Sequence, residues 1–422
     1  MTTPDERLAR LLATRPGRGW AAQRAATRMT RRRFLGTAGV ALGGLAVGPT
    51  LLAACGSDSD SSGGGGGGGG SAGSGGTSGT ISVPDFDPTT SDQLRISNWP
   101  FYIDEDTVGD FEDASGLRVT YTEDVNDNEE YFARIREPLS RGQDIGADLF
   151  IVTDFMVNRL IQLGWLAPMD DANVPNKGNL VPALQDLAFD PDRTFSLPWA
   201  SGFTSIAYNP QITGREITSL NDLFDPEFAG KVTLMSDMRD GGGQIMLSDG
   251  NSPAEATLEM VQQAADKVQE AKDSGQIRRF TGNDYGDDLV AGNVAIAQAY
   301  SGDVAQLKLD NPDLVFVVPE EGMISWSDNM VMPISTRNST GAEQWMNYVY
   351  DPAHMAQITA NVQYIPPVTG TGEALAEIDP DLADNELINP PDSTREKAVA
   401  WRGLTDEEDQ EFSTVWNAVA RG

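Results

Sequence analysis

Trp326 and Asp328 stand two residues apart in Pro319–Ser335, which reads Pro-Glu-Glu-Gly-Met-Ile-Ser-Trp-Ser-Asp-Asn-Met-Val-Met-Pro-Ile-Ser. The apolar run Val315–Val318 precedes an acidic turn, and a second apolar run, Met330–Ile334, follows the pair. On an extended backbone, residues i and i+2 share a face. An indole and a carboxylate side by side form a half-site for an organic cation. The ring face attracts the cation and covers its methylenes, while the carboxylate pairs with the charge. The same two residues also suit a core Trp beside a turn Asp, so the rest of the chain has to decide.

Strands and helices alternate along the chain, which indicates a parallel-type sheet covered on both faces. In such open α/β sheets, ligands bind beyond the carboxyl ends of strands. Trp99 and Tyr102 follow a predicted strand at Leu94–Ser97, and Thr153, Asp154 and Phe155 follow Ala147–Val152. Asp237 and Asp240 follow Lys231–Met235, and Tyr300 ends Val294–Tyr300. Each has a bland reading by itself, as a core aromatic or a turn cap. Together they are aromatics, carboxylates and one hydroxyl recurring at strand ends.

The inventory excludes much other chemistry. The one Cys, Cys55, forms no internal disulfide, and with the one His, His354, it makes no zinc cluster. A Ser-His-Asp triad would rest on His354, which sits at a predicted helix start. Gly241–Gly243 lacks phosphate-loop spacing, and Asp237 and Asp240 would repel a phosphate. No loop has the acid spacing of a calcium-binding EF-hand. Paired acids remain compatible with a glycosidase, whose carboxylate separation the sequence does not measure. No catalytic residue, metal or cofactor is expected.

The chain carries a formal charge of −33 over 422 residues. Residues 1–54 hold nine Arg and two acids, so the 30 basic and 63 acidic residues of the whole fall to 21 and 61 beyond them, a net of −40. Such a surface repels nucleic acid and favours cationic ligands, although solubility accounts for most of the carboxylates. An Arg-rich start leads to Thr30-Arg31-Arg32-Arg33-Phe34-Leu35-Gly36 and an apolar run to Ala54. This order is that of a twin-arginine export signal. The run ends in Leu52-Ala53-Ala54-Cys55, which resembles a lipobox with Cys55 as the lipidated residue. Gly56–Thr80 is Gly/Ser-rich and reads as a linker.

Further on, Asp106–Ser115 and Asn128–Leu139 read as helices, as does Asp154–Gly164. Ser252-Pro253 is expected to cap a long helix to Ser274 with Leu258, Val261, Ala265 and Val268 inward. Near the second unit's start, Phe195–Trp199 is followed by a strand at Phe203–Tyr208. Thr405-Asp-Glu-Glu408 is a capping-box sequence for a last helix with Phe412, Val415, Trp416 and Val419 on its apolar stripe.

The export signal, lipobox, Asn98-Trp99-x-x-Tyr102, Asn128-Glu-Glu-Tyr131, Ser196-Leu-Pro-Trp199, Asp237-Met-Arg-Asp240 and Glu321-Gly-Met-Ile-Ser-Trp-Ser-Asp328 resemble the spermidine/putrescine-binding proteins of ABC importers. The resemblance covers roughly residues 92–420. It implies an α/β, two-lobed periplasmic-binding-protein-like fold of type II, each lobe a mixed sheet flanked by helices, with a hinge between lobes. On that reading residues 1–54 are the signal peptide and 55–90 the linker. Lobe 1 takes 91–199 and 326–370, and lobe 2 takes 200–325 and 371–422. Carried over by motif, the cleft holds Trp99, Tyr102, Asp237, Asp240, Tyr300, Trp326, Asp328 and Tyr364, around a polyamine. The resemblance further implies a monomer on the outer face of the cytoplasmic membrane, anchored through Cys55 and delivering ligand to an ABC permease.

This chain departs from the family at four places. Pro100 stands where a small hydroxyl residue is usual, Phe155 for Tyr, Tyr300 for Trp, and Arg402 near the place of a Gln that contacts ligand. An arginine in the cleft would repel a polyamine, so either Arg402 points away or the ligand differs. Asp154 is an extra acid near the cleft that would offset it. Related subfamilies on this fold bind thiamine, opines and other small solutes.

Overall fold

Two strands are long enough to run through both halves of the molecule, and the architecture follows from their pairing. The computed structural model describes residues 83–125, 128–187, 189–282 and 284–422. The export signal, Cys55 and the Gly-rich segment to Thr80 lie outside the described residues. The described residues form one compact unit.

The strands are β1 (Gln93–Asn98), β2 (Arg118–Glu123), β3 (Leu149–Thr153), β4 (Leu166–Ala167), β5 (Ser196–Tyr208), β6 (Val232–Met235), β7 (Ile277–Thr281), β8 (Ile296–Tyr300), β9 (Val315–Phe316), β10 (Met323–Pro333) and β11 (Ala398–Val399). They join in one sheet of order β2-β1-β3-β10-β5-β8-β6-β7, with β4 and β11 beside β10 and β9 beside β5. β1 is parallel to β2 and β3, and β6 is parallel to β7 and β8. β10 lies antiparallel to β3 and β5, and β5 antiparallel to β8. The sheet is therefore mixed, with parallel outer parts and two antiparallel strands, β5 and β10, joining them.

β5 runs through Pro198 without a break, although proline supplies no N–H to a ladder. The register steps there, so that Asp328 faces Ala200 and Asn329 faces Pro198. Trp199 is the extra residue of this bulge, buried with its indole N–H donating to Tyr102 O at 3.1 Å. A bulge bends its strand and re-aims side chains. Here it sits at Asp328.

Alternate residues of β3 feed two cores. Leu149 and Ile151 pack with Leu94, Ile96, Trp345 and Met330. Phe150 and Val152 pack on the other face with Ile135, Leu160 and Val331. In the second half, Ile206, Val232 and Leu234 meet Val261, Val268 and Trp416. On the opposite face Ala207, Ala297 and Ala299 meet Tyr285, Leu289 and Val304. This period-two division is what a sheet covered by helices on both sides requires.

Among the helices, α1 (Thr107–Ser115), α2 (Asn128–Ser140) and α3 (Asp154–Gln162) fall where the sequence placed them. The Ser252 expectation is corrected. Ser252 caps only a 3-10 turn, Pro253–Glu255, and Thr257 caps the helix proper, α4 (Leu258–Asp273). The restart shifts the first turn outward, so Leu258 is 39% exposed, while Val261, Ala265 and Val268 are buried. The last helix, α5 (Asp406–Ala420), has the Thr405/Glu408 capping box, and Phe412, Trp416 and Val419 are buried.

Trp416 links this helix to the site. Its Nε1 donates to Ser236 O at 3.0 Å, and a Cβ on Gly241 would fall 2.9 Å from its ring. It supports the turn that carries Asp237 and Asp240. Trp416→Ala should cost about 3–5 kcal/mol in urea-unfolding free energy, the usual range for a buried Trp truncation; a loss under about 1 kcal/mol would refute this role.

Candidate functional site

The hydroxyl of Tyr102 donates to Asp328 Oδ2 at 3.0 Å, and that of Thr153 donates to Asp328 Oδ1 at 2.7 Å. Local backbone aims both. Phe101 adopts φ 59°, a left-handed conformation uncommon for a bulky residue, and its N–H donates to Glu123 at 2.9 Å. That turn directs Tyr102 inward, where it is buried. Thr153 pairs with Asp328 across β3 and β10, and Asn128 Nδ2 donates to the Thr153 hydroxyl at 2.9 Å, leaving its O–H for Asp328.

Trp326 continues the site from Asp328. Its ring lies 5.6 Å from that of Tyr364 and 5.7 Å from that of Tyr300, the latter edge-on. Tyr364 in turn meets Tyr102 edge-on at 5.6 Å. Two glycines make room for these rings. A Cβ on Gly202 would fall 2.4 Å from Trp326, and one on Gly302 would fall 2.6 Å from Tyr364. Trp326 Nε1 donates to Thr204 Oγ1 at 2.9 Å.

Beyond Trp326 lies a second acidic group. Asp237 caps a five-residue π-helical turn, Met238–Gly242, accepting from the N–H groups of Arg239 and Asp240 at 2.8 and 3.0 Å. Such irregular turns are frequent at functional sites. Asp240 Oδ1 accepts from Thr204 at 2.6 Å and Oδ2 from the Tyr300 hydroxyl at 3.0 Å. Asp303 accepts from the hydroxyls of Tyr364 and Tyr285, each at 2.8 Å. Three carboxylates, Asp328, Asp303 and Asp240, are thus held by tyrosine hydroxyls around one indole.

Burial dominates their ionisation. It pushes the Asp240 carboxyl up to about 7, with Asp237 adding to the shift and Thr204 and Tyr300 opposing it. Burial likewise pushes Asp328 up to about 6 against the donors Thr153 and Tyr102. The buried phenols of Tyr102, Tyr285 and Tyr300 are raised well above their ordinary range, so they stay protonated as donors. The group is a set of poorly solvated anions whose ionised form a bound cation would favour.

Tyr102, Thr153, Asp237, Asp240, Tyr300, Trp326, Asp328 and Tyr364 are therefore joined by direct contacts. Three other expected residues are occupied differently. Trp99 packs on the cores of the first half, and its Nε1 has no hydrogen-bond partner among the described residues. Phe155 lies under the Arg239 guanidinium, 3.7 Å from ring centroid to Cζ. Arg239 also donates to Asp409 at 2.7 Å, which explains an arginine between two acids: its side chain leads away from them to α3 and α5. Asp154 accepts from the Ser327 N–H at 2.9 Å and from Asn329 Nδ2 at 2.8 Å, so its oxygens are spent on β10.

Arg402 is drawn into the capping box of α5. It donates to Glu408 at 2.7 and 3.1 Å and to Ala256 O at 2.8 Å. Its guanidinium holds the Glu408 carboxyl down at about 2. Of the two alternatives for Arg402, the structure takes the one in which it points away. Sequence reading missed Gly202, Thr204, Tyr285, Gly302 and Asp303. Asp303 carried a usable signal, because it follows Tyr300 within one turn of a strand end. The described residues show no group of three or more His, Cys, Asp or Glu placed to hold a metal.

A mixed sheet whose two parts are joined by long antiparallel strands, with the site on those strands, is the periplasmic-binding-protein-like architecture. A solved neighbour agrees: the spermidine/putrescine ABC transporter substrate-binding protein PotD of Streptococcus pneumoniae superposes with TM-score 0.68 at 23% identity, over 78% of this chain and 98% of that one. The profile of the bacterial extracellular solute-binding protein family matches residues 106–389, and the chain belongs to that family. Among curated relatives, spermidine/putrescine-binding periplasmic protein 1 of Haemophilus influenzae is 25% identical over 301 residues, 71% of this chain and 81% of the relative. The putrescine-binding periplasmic protein PotF of Escherichia coli is 26% identical over 349 residues, 78% and 91% respectively.

The raised Asp240 value has a consequence for stability. A carboxyl with a folded value above its unfolded one contributes stability that is full below the unfolded range and lost as pH rises through the folded value. Ligand-free protein should therefore gain melting temperature between pH 8 and pH 5.5 through Asp240, a gain that Asp240→Asn lacks. Parallel pH profiles for the two proteins in scanning calorimetry would contradict this.

Proposed function

We propose that the chain is the substrate-binding component of an ABC importer, capturing a polyamine between its lobes and delivering it to a membrane permease. The observation that carries the reading is the indole of Trp326 among three tyrosine-held carboxylates. A polyamine is a row of ammonium groups separated by methylenes. Carboxylates answer the charges and aromatic walls cover the methylenes. The names of the relatives support this ligand class, and the net negative surface would steer a polycation inward.

On this reading the lobes are 91–199 with 326–370 and 200–325 with 371–422, and β5 and β10 carry two of the three crossings between them, the third falling at 370/371. The protein acts as a monomer, exported and held at the outer face of the cytoplasmic membrane through lipid on Cys55. No helix among the described residues is long and apolar enough to cross a membrane.

Titration calorimetry with putrescine, spermidine and spermine tests the ligand. At least one should bind below ~100 µM, about −5.5 kcal/mol, and Asp328→Asn should weaken it by about 1.5–3 kcal/mol, the range of a charged hydrogen bond. Absence of binding by all three overturns the polyamine reading, and unchanged affinity removes Asp328 from it. For the anchor, Cys55→Ala should move the protein from the membrane fraction to the soluble exported fraction. Retention on the membrane would refute lipid attachment at Cys55.

A further inference from the structure

Asp154 bonds the residue before Asp328 and the residue after it. One oxygen takes the Ser327 N–H at 2.9 Å and the other takes the Asn329 side-chain amide at 2.8 Å. The neighbouring Thr153 holds Asp328 itself at 2.7 Å. Two consecutive residues where β3 passes into α3 thus grip three consecutive residues of β10. They do so where the register steps between Asp328 and Asn329. A bulge has lost part of its ladder, so the direction of Asp328 needs support from outside the two strands.

The rest of the surroundings fits a clamp. The buried Arg193 donates to the Asn329 side-chain oxygen Oδ1 at 3.2 Å and to Ser196 Oγ at 3.1 Å, so the Asn329 side-chain amide is oriented from both ends. Its donor end must then face Asp154. Asp190 fixes the Arg193 segment by accepting from the Ser196 N–H at 2.8 Å and the Ser196 hydroxyl at 2.7 Å.

We propose that Asp154 is a positioning residue for Asp328: it clamps both flanking residues, fixes where the Asp328 carboxylate points, and does not itself touch the ligand. This rests on the reading of Asp328 as a cation-binding group. It differs from the expectation that Asp154 is an extra acid of the cleft. As a clamp, it acts on ligand only through Asp328.

Its charge is also felt. Asp154 raises the Asp328 carboxyl, while Thr153 from β3 and Tyr102 from the loop after β1 lower it. Asp240, on the π-helical turn, has Asp328 as a further charge acting on it. Tyr364 packs on Tyr102, and Arg193 faces Asp154 from the segment before β5.

The test is a double-mutant cycle between Asp154→Asn and Asp328→Asn, read by calorimetry at pH 8 with spermidine. Asp154→Asn should weaken binding about tenfold, the scale of one charge-assisted hydrogen bond. In the Asp328→Asn background it should add no further loss. Losses that add in full would mean Asp154 meets the ligand independently, and would overturn the proposal. Asn329→Ala, which removes one jaw of the clamp and leaves the Asp154 charge in place, should show the same non-additivity. It also serves if Asp154→Asn does not fold.

A second readout needs no ligand and so survives failure of the polyamine reading. Carbon-13 NMR titration of the Asp328 carboxyl in the folded, ligand-free protein should move to lower pH in Asp154→Asn, because a neighbouring negative charge is gone and Arg193 remains. An unmoved titration would mean that Asp154 does not act on the Asp328 carboxylate, and this result too would overturn the proposal.

Discussion

The antiparallel pairing of β5 with β10 is the constraint on which the remaining structure depends. Each strand is hydrogen-bonded in the first half at one end and in the second half at the other. Without that shared pair, the parallel strands β1 to β3 and β6 to β8 would be separate sheets with separate cores. The pair also dictates where a polar site can exist. Its central residues, Trp326 to Asp328 on β10 and Gly202 to Thr204 on β5, lie in the middle of this pair, and there the buried Asp328 carboxylate meets the hydroxyls of Tyr102 and Thr153.

The chemistry of the site follows from withholding water while supplying directed hydroxyl groups. Carboxylates moved into a poorly solvated setting resist ionisation, and neutral hydroxyl donors lessen this only in part. Asp240 and Asp328 sit in that condition, each with both oxygens accepting from hydroxyl groups. The phenols are well suited to the task because burial keeps them protonated. A fixed lysine or arginine would have satisfied the acids fully and left nothing for a ligand to do. Arg239, which stands between Asp237 and Asp240, and Arg402, the arginine expected near the ligand, are bound instead to Asp409 and Glu408.

Much of this was legible in the sequence, and the divide between legible and hidden has a physical basis. Strand ends, helix stops and the capping box are local signals, and they located Asp237, Asp240, Tyr300 and Asp328. What proved hidden was the direction of side chains with several possible partners. Asp154 and Phe155 follow β3 as a site residue would, yet one turns to the β10 backbone and the other lies under Arg239. No local pattern distinguishes these outcomes, since the deciding atoms are 170 or more residues away in the Asp154 case. The strand expected at Phe203–Tyr208 in fact begins at Ser196, because a bulge accommodates Pro198. The role of Gly202 and Gly302 became visible only once the rings of Trp326 and Tyr364 had been placed.

That Trp326 and Asp328 belong to a joining strand rather than to a loop has a consequence for any attempt to retune the receptor. Loops on a rigid scaffold can exchange residues with little effect on the frame that holds them. Here the residues that would select a solute are also rungs in the ladder connecting both halves. Trp326 pairs with Gly202 and Asp328 with Ala200, and the Trp326 ring lies over Gly202, so its size is matched to the strand beside it. On the proposed reading, selectivity and the pairing that joins the two halves are carried by the same strand positions.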